Sequence, residues 1–262
     1  MKRIRLSVRN FEGIIMPRFF VASSDIDKSG DIIKISIRGD DAAHITKVLR
    51  MKPGEAVVAC DENGCEYRSF VSELGPVVVL DVISVKQSEN EPPYKAVVYQ
   101  ALVKGDRFDT VIQKSTELGA HTIVPVITSR CTVKLTESDY AKKTDRWQRI
   151  AYEAAKQCGR GVIPKVKHPI KFFDAITEAK SSDLPLFCYE GEGTLPLSNA
   201  LADSPTPETI AVFIGPEGGF SEDEATYASD NGMKMTGLGK RILRTETAAP
   251  FVLSCVSYKY EL

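Results

Sequence analysis

The pattern of this sequence changes abruptly across Gln87-Ser88-Glu89-Asn90-Glu91-Pro92-Pro93, a polar, proline-containing stretch without periodicity. Before it, short segments rich in β-branched residues follow one another at residues 31–37, 55–60, 65–71 and 77–85. Lys52-Pro53-Gly54-Glu55, Asp61-Glu62-Asn63-Gly64 and Gly75-Pro76 separate them, residue types that turn the chain or take positive φ. One helix, residues 41–50, interrupts the series. Closely spaced short strands predict a small β-barrel. After the stretch, strands at 96–103, 122–127, 184–189, 210–214 and 234–238 alternate with helices. Alternation of that kind predicts a largely parallel sheet covered by helices.

The expected class is therefore α/β, with a barrel over residues 16–88, a linker at 89–93 and an α/β domain over 94–262. Residues 1–15 fit neither pattern. Met16-Pro17-Arg18-Phe19-Phe20-Val21 reads as a fresh start, so the first fifteen residues are either an ordered extension or the product of an upstream start.

Two helices of the second half are well marked. The first has Asp106 as N-cap, Asp109 three residues on, and Gly119 as its stop. The second places Trp147, Ile150, Ala151, Ala154, Ala155 and Cys158 on one face and ends at Gly159. Off that face lie Arg146, Arg149, Lys156 and Arg160, with Lys142 and Lys143 nearby. They form a basic surface that suits phosphates, or an ordinary solvated face pairing with its own acids, such as Arg149 with Glu153.

Composition excludes other classes. The chain is 43% hydrophobic and 26% charged, an ordinary globular balance. No apolar run approaches the roughly 20 residues of a membrane span. The six cysteines form no C-x-x-C pair and no histidine stands at zinc spacing, so reduced thiols, a cytoplasmic setting and no metal are expected. The net charge of −1 conceals a division. Residues 101–171 hold 14 Lys and Arg against 7 Asp and Glu, whereas residues 172–230 hold one Lys and 12 acids. Near-neutrality is cancellation between a basic and an acidic block, so it does not exclude a nucleic-acid partner.

Two loops carry the chemistry. Ile210-Ala211-Val212-Phe213-Ile214 runs into Gly215-Pro216-Glu217-Gly218-Gly219-Phe220, and Ser221 with Glu224 forms a capping box that starts a helix. A strand, a glycine turn and a helix form a ligand-binding arrangement in open α/β sheets, or simply a tight turn. Glu217, Glu222, Asp223 and Glu224 gather around the amides that would receive a phosphate, which disfavours one and suits a neutral or cationic cofactor. The second loop, residues 238–250, follows the last strand. There Thr245 or Thr247 can cap the final helix, with Pro250 in its first turn.

Taken together, several segments resemble the RsmE family of bacterial 16S rRNA uridine-N3 methyltransferases, within the SPOUT superfamily. They are P-R-F-F-V at 17–21, H-I-T-K-V-L-R at 44–50, K-G-D-R-F-D-T-V-I-Q-K-S-T-E-L-G at 104–119 and S-R-C at 129–131. To these are added R-W-Q-R-I-A-Y-E-A-A-K-Q-C-G-R at 146–160, I-G-P-E-G-G-F-S at 214–221 and L-G-K-R-I-L-R-T-E-T-A at 238–248. The last two carry the specificity of the match. The resemblance implies a PUA-like N-terminal barrel, a SPOUT C-terminal domain with a deep trefoil knot, a homodimer, S-adenosyl-L-methionine as cofactor and 16S rRNA in the 30S subunit as partner.

It also implies roles for residues. Tyr189, Glu190, Ile214, Gly215, Pro216, Glu217, Gly218, Leu238, Gly239, Ile242, Leu243 and Thr245 would surround the cofactor. Arg244 would stabilise negative charge on uracil, and Glu246 is a candidate base with an equally natural role as a cap or ion-pair partner. His44, His121 and His168 belong to no catalytic motif. RNA contacts are expected from Arg18, Arg50, Lys104, Lys114, Arg130, Arg146, Arg149 and Arg160. Action on another base or on tRNA, and a non-catalytic role in RNA binding, remain as alternatives.

Overall fold

The computed structural model describes residues 16–202 and 205–262; the extension expected at residues 1–15 lies outside them. The chain divides after Glu89 into two compact units.

The first unit holds β1 (Arg18–Phe20), β2 (Ile26–Asp27), β3 (Lys34–Ile37), β4 (Ala56–Cys60), β5 (Cys65–Glu73) and β6 (Val78–Gln87). They form one sheet in the order β1-β4-β5-β6-β3-β2, antiparallel except for β1 with β4. Phe19, Ile35, Ile37, Val57, Ala59, Tyr67, Val71, Val78 and Leu80 meet in a single apolar cluster. Alternate residues of β1, β3, β4, β5 and β6 point into it, as in a sheet curled around its own core. The helix expected at 41–50 is different in kind. A short α1 (Gly39–Ala43) passes into one π turn (His44–Val48), after which Arg50 takes φ +52°.

The second unit contains β7 (Lys95–Ala101), α2 (Arg107–Glu117), β8 (Ala120–Ile127), α3 (Glu137–Cys158), β9 (Lys165–Val166), β10 (Ile170–Lys171), α4 (Phe172–Ala179) and β11 (Leu184–Cys188). β12 (Leu195–Pro196), α5 (Leu197–Ala202), β13 (Thr209–Ile214), α6 (Glu222–Asp230), β14 (Lys234–Gly237) and α7 (Thr245–Tyr260) complete it. All strand pairs are parallel, in the order β10-β8-β7-β13-β11-β14-β12, with β9 also on β8.

Both faces of this sheet are covered, which is why its strands read as unbroken apolar runs. Ile210, Val212 and Ile214 of β13 join a cluster with α2, α3 and α7, while Ala211 and Phe213 join a second with α4 and α6. In the second cluster Tyr99 and Phe213 stack at 4.5 Å. α3 starts at a Thr136–Asp139 capping box and ends at left-handed Gly159. α2 begins after Asp106 as expected, but the Asp106 side chain makes no cap. Asp109 instead takes Arg146 of α3 in a two-pronged ion pair.

The stretch at 89–93 is partly tied down. Asn90 donates to the carbonyl of Gly159 at 2.8 Å, and Pro92 lies against Gly119. Glu91 accepts from the amides of Gly161 and Val162.

Candidate active site

β13, β11 and β14 are neighbours in the sheet although helices and loops separate them in sequence. The segments leaving their C-terminal ends converge with the start of α7 on a cavity of about 680 Å³. This is the edge of a parallel sheet where ligands bind, and the volume suits a small organic molecule.

Eleven of the twelve residues expected around a cofactor line this cavity. Tyr189 and Glu190 follow β11; Ile214, Gly215, Pro216 and Glu217 end or follow β13; Leu238, Gly239, Ile242, Leu243 and Thr245 follow β14. Arg244 and Glu246 line it as well. Gly218 does not; its carbonyl accepts from Arg130 Nη1 at 2.9 Å. Glycine is required at particular points. Gly219 takes φ +66°, and a Cβ there would lie 2.9 Å from Glu190 Oε1. At Gly237 a Cβ would lie 2.9 Å from Thr194 Oγ1.

The start of α7 departs from expectation. Arg244 is the N-cap and neither threonine caps. Thr245 is the first helical residue, and its hydroxyl donates to the carbonyl of Gly215 at 2.8 Å. Pro250 consequently falls in the second turn, where it leaves the carbonyl of Glu246 without its helical donor.

The carboxylates near the glycine loop also lie elsewhere than expected. Of the four carboxylates expected around the glycine loop, only Glu217 lines the cavity. Glu224 is buried, completing the Ser221 capping box and accepting from the amide of Ser129 at 2.7 Å. Glu217 is held by Arg107 Nη1 at 2.6 Å. Glu190, Glu217 and Glu246 therefore face Arg107, Lys240, Arg241 and Arg244, a mixed lining with no acidic excess. Sequence reading missed Arg107 because it lies on α2, 110 residues from its partner, with no local signal. It missed Cys188, which ends β11 in the cavity wall; burial pushes its thiol up to about 12.

Comparison with known proteins decides the family. Residues 90–257 match the model of an RNA methyltransferase domain, and residues 37–79 that of an RNA methyltransferase PUA domain. The chain is 35% identical over 232 residues to the ribosomal RNA small subunit methyltransferase E of Bacillus subtilis, covering 87% of this chain and 91% of the relative. The chain belongs to the ribosomal RNA small subunit methyltransferase E family. The Synechocystis member is 32% identical, covering 82% of this chain and 69% of its own. The crystal structure of the Neisseria gonorrhoeae member bound to S-adenosyl methionine superposes with a TM-score of 0.81 at 30% identity, over 93% of this chain and 98% of that one. The chain is thus a mixed α/β methyltransferase with a PUA-like N-terminal domain.

The residues assigned to RNA in this family member fall into three groups. Arg18 and Arg160 are turned inward onto partners within the protein. Arg18 Nη1 donates to Glu66 at 2.9 Å and to Cys60 Sγ, its side chain only 11% exposed. Arg160 is buried against Glu91 and the carbonyls of Thr116 and Ala120. Lys114 and Arg146 are accessible but carry Glu117 and Asp109 as partners, and Arg130 holds Gly218. Arg50, Lys104 and Arg149 have exposed side chains with no hydrogen bond or ion pair among the described residues. Arg149 does not pair with Glu153. Among those residues there is no cluster of metal-ligating side chains and no helix long and apolar enough to cross a membrane.

Proposed function

We propose that this protein transfers the methyl group of S-adenosyl-L-methionine to N3 of a specific uridine in the decoding region of 16S rRNA, acting on the assembled 30S subunit. The observation that carries this reading is the convergence of the two loops with the specific motifs, 214–221 and 238–248, on one cavity at the C-terminal edge of a parallel sheet. The family names and the S-adenosyl methionine of the gonococcal structure support it.

The cavity residues fit this cofactor. Ile214, Leu238, Ile242 and Leu243 offer apolar surface to a flat base, Gly215 and Gly239 admit close backbone approach, and Glu190 offers a carboxylate to a cationic group. When bound, S-adenosyl-L-methionine supplies an electrophilic methyl on a sulfonium. The residues of this chain must then hold the uracil in line and away from water. N3 of neutral uridine carries a proton and is a poor nucleophile. Arg244, at the N-cap of α7, would stabilise negative charge on a uracil carbonyl oxygen. Glu246, in the first turn of the same helix, is the candidate acceptor of the N3 proton.

Further parts of the proposal rest on the same reading. The PUA-like domain spans residues 16–88 and the methyltransferase domain 94–262. The chain in the second passes from edge-side β14 through 238–244 back to α7 at central β13, a path that supports a deep trefoil knot. Exposed Phe251 and Tyr258 on the outer face of α7, and exposed Ile242, support a homodimer. Arg50, Lys104, Lys114, Arg130, Arg146 and Arg149 supply phosphate contacts without reading sequence, so the target is selected by the shape of the assembled subunit. The cytoplasm is the compartment this substrate requires. Calorimetry with S-adenosyl-L-methionine, together with nucleoside mass spectrometry of rRNA from a strain lacking the gene, tests the reading. Binding heat and loss of N3-methyluridine are expected; no heat, or unchanged N3-methyluridine, overturns it.

A further inference from the structure

We propose that Gln100, which does not line the cavity, is a positioning residue that locks the glycine loop to the start of α7 from beneath. The inference rests on the methyltransferase reading.

Gln100 lies at the C-terminal end of β7, in register with Ile214, the residue before Gly215. It is fully buried. Its Nε2 donates to Thr245 Oγ1 at 2.8 Å and to the carbonyl of Ala101 at 3.0 Å. Thr245 Oγ1 in turn donates to the carbonyl of Gly215 at 2.8 Å. A hydroxyl has one proton. With that proton committed to Gly215, the Thr245 oxygen needs a donor, and only the amide nitrogen of Gln100 meets the need. Reversing the amide would set its oxygen against two acceptors, so the direction from Gln100 through Thr245 to Gly215 is fixed.

A second observation points the same way. Gln100 Oε1 is buried and has no hydrogen-bond partner among the described residues. An unpaired buried carbonyl is destabilising, and an apolar residue of similar shape would avoid it. The fold alone therefore disfavours glutamine at this position. What the amide provides is the register between two cavity walls: Gly215 opens the loop after β13, and Thr245 stands between Arg244 and Glu246. Displacements of about 1 Å in such a constellation can cost about a hundredfold in rate.

The test uses the full chain, with S-adenosyl-L-methionine affinity from calorimetry and kcat on 30S subunits. Gln100→Leu and Thr245→Val are each expected to lower kcat about tenfold or more, with a smaller rise in the Kd for S-adenosyl-L-methionine. Because both break one chain of bonds, the double variant should be no slower than the slower single one. Gln100→Glu supplies a readout that loss of packing does not. Its ionised carboxylate cannot donate to Thr245, while its protonated form can, so its kcat relative to wild type should rise as pH falls. Wild-type kcat in Thr245→Val, multiplying effects in the double variant, or a Gln100→Glu ratio independent of pH would overturn the proposal. If Gln100→Leu does not fold, Thr245→Val and Gln100→Glu decide it. Failure of the wild-type protein to bind S-adenosyl-L-methionine would instead remove the methyltransferase reading, and this inference with it.

Discussion

Arg160 and Glu91 form an ion pair inside the second unit, with the arginine side chain 5% exposed and the carboxylate 24%. The remaining guanidinium nitrogen donates to the carbonyls of Thr116 and Ala120, and Glu91 also receives the amides of Gly161 and Val162. All three guanidinium nitrogens of this arginine donate within the protein. Arg160→Met leaves a partly buried carboxylate without its counter-charge, still held by two backbone amides, and should cost about 1–3 kcal/mol in urea unfolding. The salt dependence of RNA binding by the folded fraction should not change; a reduced slope would return Arg160 to the RNA surface.

Arg149 is the contrasting case, exposed on α3 with Lys142 and Lys143. Arg149→Ala should leave the free energy of urea unfolding within about 0.5 kcal/mol of wild type. It should reduce the slope of log affinity for RNA against log salt by about 0.7–0.9. Titrations at several salt concentrations measure this, and an unchanged slope would exclude a phosphate contact.

Gly219→Ala places a side chain at φ +66° with its Cβ 2.9 Å from Glu190 Oε1. Backbone strain of about 1–3 kcal/mol and displacement of Glu190 should follow. Affinity for S-adenosyl-L-methionine should fall about tenfold, equivalent to about 1.4 kcal/mol, as read by calorimetry.

Asp183 receives the amide and the hydroxyl of Thr209, each at 2.9 Å. These bonds hold its carboxyl below the ordinary aspartate value. The native state thus favours the ionised form. The stabilisation is complete above the unfolded value, about 4, and is lost as pH falls through the lower native value. Thr209→Val removes the hydroxyl bond. The difference in urea midpoint between wild type and variant should be present at neutral pH and shrink as pH falls below about 4; a difference constant down to acid pH would contradict this.

Much of the fold was legible in the sequence because its signals are local. The strands β7, β8, β11 and β13 of the second unit appear as largely apolar runs, and α3 ends at Gly159 as its apolar face predicts. The two-loop cavity was legible for the same reason, each loop leaving a recognisable strand. Short β9, β10 and β12, each two residues long, carry no pattern of their own. What sequence could not give depends on distant partners. Arg18 and Arg160 look like surface cations until Glu66 and Glu91 are brought against them. Glu224 looks like a ligand carboxylate until Ser129, 95 residues away, takes its oxygen. Gln100 is an unremarked polar residue in a strand until Thr245 closes on it.

Methyl transfer from labelled S-adenosyl-L-methionine to purified 30S subunits, beside free 16S rRNA, with the modified nucleotide mapped, tests the proposed reaction most directly. Label is expected at N3 of a single uridine in the decoding region, with 30S subunits methylated well and free rRNA poorly. Label at another atom or base, equal labelling of free rRNA, or no transfer to either would contradict it.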